Sequence, residues 1–154
     1  MNDLNFPLLL KDERFIKLKY SLLVMKVYIA ARFNKKQEVR HLYSKFKKLG
    51  HEIAADWTLH KLIKPYENNV KIAREYSVED INAVRNCDVF ILLSDEAGTG
   101  MYVELGAAIS SNLEHGKPKI YVVGDHISRS MFYFHPSVNR RKTIDEVLEE
   151  IKEL

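Results

Sequence analysis

The chain has 154 residues, room for one domain with a real core, and its 24 Lys plus Arg against 21 Asp plus Glu leave a net charge of only +3, too mild to imply a nucleic-acid partner by field alone. One cysteine, Cys87, excludes an internal disulfide framework and suits a reducing, cytoplasmic compartment. The six histidines are dispersed, the pair Asp56 and His60 lacks a third partner so that no metal or cofactor is expected, and no apolar run approaches the roughly eighteen residues of a membrane span.

Residues 1–24 read as an upstream extension of amphipathic character, outside the site. The stretch "FPLLL" is too short for a signal-peptide core and runs at once into Lys11, Asp12, Glu13 and Arg14. Regular alternation starts at "MKVYIAAR", with Met25 in the position of a natural start, so that 25–154 is taken as the domain. "KVYIAA" predicts a first strand. A helix follows over about Lys35 to Leu49, with Val39, Leu42, Tyr43, Phe46 and Leu49 at helical spacing and Gly50 as its C′ stop; its basic residues are read as a solvated face. "HEIAADW" predicts a second strand. Pro65 opens a helical stretch through Val70, Ile72, Ala73 and Tyr76, and Ser77 is a candidate cap for a continuation carrying Ile81 and Val84. "DVFILLS" is apolar throughout, as a strand covered on both faces should be.

A glycine loop, "DEAGTGMYVELG", then leads into a helix with Leu105, Ala108, Ile109 and Leu113 inward and Gly116 at its end. "KIYVVG" predicts a fourth strand, and Thr143 with Glu146 forms a capping box for a last helix striped by Ile144, Val147, Leu148 and Ile151. Without repeats, low-complexity tracts or linkers, this alternation predicts a single-domain α/β fold: an open parallel sheet of about five strands with helices on both faces, flavodoxin-like or Rossmann-like. Ligands of such sheets sit beyond the carboxyl ends of the strands. The site candidates are therefore 31–34, 57–60, 94–104 and 124–131.

Glu104 falls in the last helix-opening stretch of that set. At a first helical turn it would be held ionised by unpaired N–H groups and the macrodipole, which suits a nucleophile and equally suits an ordinary first-turn residue. Asp80 stands three residues after Ser77 and could complete a capping box there.

Together, Tyr28 in "KVYIAAR", Asp80 and Asp88 in "EDINAVRNCDVFILL" and Glu104 in "GTGMYVELGAAI" resemble the nucleoside 2-deoxyribosyltransferase family, which includes the 2′-deoxynucleoside 5′-monophosphate N-hydrolases; the likeness runs from about Met25 to the C-terminus. It implies that Glu104 attacks the anomeric carbon of a 2-deoxyribosyl group, that Asp80 meets the sugar or protonates the leaving base, and that the Tyr28 hydroxyl orients the nucleophile. Asp88 is taken as structural. Substrate-binding candidates are Arg32, Phe33, Gly98, Gly100, Met101, Arg129 and Met131. Gly98 departs from the family, whose transferases carry aspartate and whose nucleotide hydrolases carry serine six residues before the nucleophile. Arg32 replaces the hydrolases' phosphate-binding serine, and with Arg129 leans the reading toward a phosphorylated substrate. The partner implied is a small deoxynucleoside or deoxynucleotide, and the aromatic stretch "HISRSMFYFHPSV" implies a homo-oligomer whose sites are completed across an interface.

Two rivals are weighed. A phosphoribohydrolase loop "GGxGTxxE" requires its threonine three residues before the glutamate, whereas Thr99 stands five before Glu104. A non-catalytic nucleotide-sensing module could use the same sheet and loop.

Overall fold

The computed structural model describes residues 24–153, so the extension reading for 1–24 lies outside the described residues apart from Val24. Five strands, β1 (Lys26–Ala30), β2 (Glu52–Ile53), β3 (Val89–Leu93), β4 (Lys119–Val123) and β5 (Val138–Arg141), form one all-parallel sheet in the order β2-β1-β3-β4-β5. This is the flavodoxin-like order, whose direction reverses between β1 and β3. Among the described residues four α-helices surround it: α1 (Lys36–Lys48), α2 (Val70–Asn86), α3 (Gly100–His115) and α4 (Ile144–Lys152). Helices α2 and α3 pack against each other on one face. On the other, α1 meets α4 through Lys45 Nζ and Asp145 Oδ1 at 2.7 Å.

The centre of the sheet is dry because its sequence leaves no choice. Every residue of β3 is buried, and β1 and β4 are buried from their second residue onward. Asp88 secures the entrance to this core, its Oδ2 accepting the Lys26 N–H at 2.8 Å. The Thr143 and Glu146 capping box forms as read, and Val147, Leu148 and Ile151 seal the edge.

Four local readings are corrected. The second strand is only two residues long, because beyond it Ile29 of β1 finds other partners: its carbonyl accepts the Trp57 indole N–H at 2.6 Å and its N–H donates to the Tyr43 hydroxyl at 3.3 Å. With β1 satisfied by side chains, "AADW" is free to turn into a short 3₁₀ segment, Trp57–Leu59. Ser77 caps nothing: α2 runs through it unbroken, and its Oγ donates to the Arg74 carbonyl at 3.0 Å, which removes the capping role proposed for Asp80. Leu49 and Leu113, placed inward by spacing, are 47% and 68% exposed. The basic run on α1 is solvated only toward its end, since Lys35 and Lys36 at its start turn toward Ser94, Asp95 and His60.

Candidate functional site

The carboxyl ends of β1 and β3 and the facing ends of α2 and α3 enclose a cavity of about 730 Å³. Arg32, Phe33, Gly98, Gly100, Met101, Asp80 and Glu104 all line it. Arg129 and Met131 do not; both lie on the exposed connection between β4 and β5. Within that connection Tyr133 turns inward and is buried, stacked on Tyr102 of α3 with centroids 5.8 Å apart, while Met131, Phe132 and Phe134 remain exposed.

Glu104 is reached from two sides. Helix α3 begins at Gly100, earlier than read, so Glu104 sits in the second turn, where no unpaired N–H groups remain to hold its charge. Its carboxyl instead lies over β1, and Oε1 accepts the Tyr28 hydroxyl at 2.5 Å. Burial drives the Glu104 carboxyl up to about pKa 8, with nearby Asp80 adding to the rise and the Tyr28 hydrogen bond opposing it. The expected ionised first-turn carboxylate is thus replaced by one whose burial favours its protonated form at neutral pH. Tyr28, itself fully buried and stacked on Phe90 of β3 at 6.2 Å, has its own pKa raised by burial and by the two acids, and so stays a proton donor.

Asp80 projects from α2 into the same cavity, and its Oδ1 is buried with no hydrogen-bond partner among the described residues. Burial raises its pKa to about 6, against the lowering pull of His60 and Tyr28. A buried carboxylate oxygen left open in a cavity is a position that a ligand hydroxyl or N–H would satisfy. From sequence, His60 was weighed only with Asp56 as an incomplete metal pair and for its place after the second strand. Its ring stacks on Tyr76 at 3.7 Å, its Nε2 is 3.2 Å from Glu79 Oε2, and its Nδ1 lies 3.9 Å from Asp80 Oδ2. Among the described residues no group of three or more His, Cys, Asp or Glu side chains is arranged to hold a metal ion.

No family model matches the chain, and no curated protein matches its sequence. Among solved structures it resembles the CMP N-glycosidase BcmB of Clostridium botulinum, with a TM-score of 0.52 over 84% of this chain and 99% of that one. At 18% identity the likeness shows the fold. No described helix is long and apolar enough to cross a membrane.

Proposed function

We propose that this chain cleaves the N-glycosidic bond of 2′-deoxynucleosides or their 5′-monophosphates, passing the sugar to water or to a second base through a covalent intermediate on Glu104. One observation carries the reading: the Tyr28 hydroxyl bonded to Glu104 at 2.5 Å, with the unpartnered oxygen of Asp80 in the same cavity. The shared fold with a CMP N-glycosidase supports it.

The mechanism follows from how the two acids hold their protons. Burial holds both carboxyls above their ordinary values, the more deeply buried Glu104 most strongly, so the pair titrates as a unit that keeps a proton near neutral pH, and we place that proton on Glu104. Passing that proton to Asp80 as substrate fills the cavity produces an ionised nucleophile and a protonated acid in one exchange, with no change in net charge. Glu104 then attacks C1′, the electron pair of the N-glycosidic bond leaves with the base, and Asp80 protonates that base. Water or another base next attacks C1′ and releases the sugar, Asp80 taking up its proton. Throughout, the Tyr28 hydroxyl holds the Glu104 carboxylate in line.

The test is a product assay with deoxycytidine, dCMP and CMP, each with and without a second free base, reading released base and exchanged nucleoside. Base release from a deoxy substrate supports the reading; tight binding without release replaces it with a nucleotide sensor. An oxocarbenium-like transition state forms more easily without an electron-withdrawing 2′-hydroxyl, whereas pocket size alone discriminates by only about a hundredfold. Equal kcat/KM for dCMP and CMP would make the protein a general ribohydrolase; CMP is the substrate named for its structural neighbour.

A homo-oligomer whose sites are completed by the segment around Arg129 and Met131 belongs to the same proposal. Those residues stand away from the cavity of their own chain, and Met131, at 76% exposure, is the kind of surface that marks a contact. Sedimentation at assay concentration checks it, and a fully active monomer would refute it.

A further inference from the structure

His60 is held on three sides. Its sequence neighbour Asp56 bonds elsewhere, Oδ1 accepting the Thr58 N–H at 3.1 Å, and the imidazole packs against α2 instead. The ring lies flat on Tyr76, with 3.7 Å between centroids and 3° between planes, and its Nε2 meets Glu79 Oε2 at 3.2 Å. Lys36 Nζ anchors the main chain by donating to the His60 carbonyl at 2.5 Å. One face is stacked, one edge is bonded and the backbone is tied, so little side-chain freedom remains to the ring.

The other ring nitrogen, Nδ1, lies 3.9 Å from Asp80 Oδ2. That separation is too long for a hydrogen bond and short enough for an ion pair, so ring and carboxyl are coupled by charge. A carboxyl group is planar, and a pull on one oxygen aims the other. The other is Oδ1, buried and without a partner among the described residues, in the cavity that His60, Asp80 and Glu104 line together. The titratable groups that face His60 are Tyr76, Glu79 and Asp80 from α2, with Lys36 of α1 at its carbonyl; those that face Asp80 are His60, Tyr28 of β1 and Glu104 of α3. Burial raises the Asp80 pKa, and His60 heads the influences that oppose the rise.

We propose that His60, fixed by Glu79 and Tyr76, is a positioning residue for Asp80: it draws Oδ2 toward Nδ1, turns Oδ1 to the substrate and keeps the carboxylate ready to take up the proton of Glu104. The part of this that concerns turnover rests on the glycosidase reading. The coupling of ring to carboxyl does not.

The test uses the full chain and two readouts. Carbon NMR of the Asp80 carboxyl follows its titration in the protein without substrate, and base release from dCMP gives kcat and KM across pH. His60→Ala should raise the Asp80 midpoint by about one pH unit, the scale of losing an opposite charge at close range, and should lower kcat about ten- to a hundredfold with KM changed less than about threefold. Glu79→Gln, at a half-exposed position outside the core, loosens the ring and should lower kcat about threefold. Both losses should fall below about twofold in an Asp80→Asn background, because each acts through that carboxyl. A midpoint unmoved by His60→Ala, a KM that rises as far as kcat falls, or equal losses with and without the Asp80 carboxyl each overturns the proposal. Should His60→Ala not fold, Glu79→Gln decides: an unchanged kcat, or the same loss in the Asp80→Asn background, overturns it. A midpoint that moves with His60 in a protein releasing no base keeps the coupling and defeats the glycosidase reading; base release with an unmoved midpoint does the reverse.

Discussion

Glu104 and Asp95 are both acids at the switch point of the sheet, and the fold treats them in opposite ways. Glu104 meets a neutral hydroxyl, an apolar strand and another acid, so burial wins and its pKa climbs to about 8. Burial also acts against the charge of Asp95, but the Arg32 hydrogen bond, the Ala97 N–H and the charge of Lys35 outweigh it and hold that carboxyl below its ordinary value. Asp95 therefore sits in a fixed ion-paired frame, whereas Glu104 and Asp80 form a proton-bearing pair that changes charge with pH. What separates a proton-bearing carboxylate from an ion-paired one here is the company of cations, more than depth.

The sharpest way to break this comparison is Glu104→Gln. Loss of the proposed nucleophile should lower kcat by about four to six orders of magnitude while the fold survives. Its effect on stability has a definite sign. A carboxyl whose folded pKa is raised contributes stability that is complete below its unfolded value of 4.5 and is lost as pH rises through about 8. Wild type should therefore lose Tm between pH 5 and 9 relative to Glu104→Gln, and a constant difference across that range would refute the raised pKa. Asp95→Asn should behave oppositely, since a depressed pKa contributes stability that is complete above the unfolded 3.8 and is lost as pH falls through the lower folded value. Thermal melts at pH 7 and pH 3 check it, with the Tm deficit of the variant expected to shrink from pH 7 to pH 3.

Asp80→Asn comes next, with a loss of about two to four orders of magnitude in kcat/KM as the general acid is removed. In the wild type, kcat/KM should be bell-shaped with its maximum between about pH 6 and 8, the window in which the pair shares one proton. A rate that rises steadily beyond pH 9 would count against the exchange of that proton. Tyr28→Phe should cost about ten- to a hundredfold, the worth of one hydrogen bond to a charged group. Because that bond opposes the rise of the Glu104 pKa, its loss should also move the pH profile upward.

The smallest expected effect separates the two serine and threonine signals. Thr143→Ala removes a real cap and should cost about 1 kcal/mol, whereas Ser77→Ala at an exposed position inside α2 should be neutral or stabilise by up to about 0.5 kcal/mol. Chemical denaturation of both variants measures this. A marked loss of stability in Ser77→Ala would restore the capping role for that region.

The buried strands, the C-terminal glycine of the first helix and the Thr143 cap were legible because each is a local matter of period, backbone freedom or side-chain reach along a few residues. The alternation of strand and helix likewise determined a parallel sheet, since right-handed crossovers leave few other arrangements. The candidate site was legible only as a set of residue types: Glu104, Asp80 and Tyr28, chosen from three separate elements, lie together in the fold. Their states were not. A first-turn position suggested an ionised Glu104, but the helix starts earlier and the carboxyl faces a tyrosine that is distant in sequence, so desolvation replaces the macrodipole as the deciding term. The length of β2 depended on an indole and a hydroxyl arriving from other segments to satisfy Ile29. Gly98 was visible only as a departure; that Arg32 occupies the space of the missing side chain is a contact across 66 residues of chain, and no local rule carries it. Composition and spacing act over a turn or two of backbone. Protonation state, strand length and the use of empty volume are set by whatever the fold brings alongside.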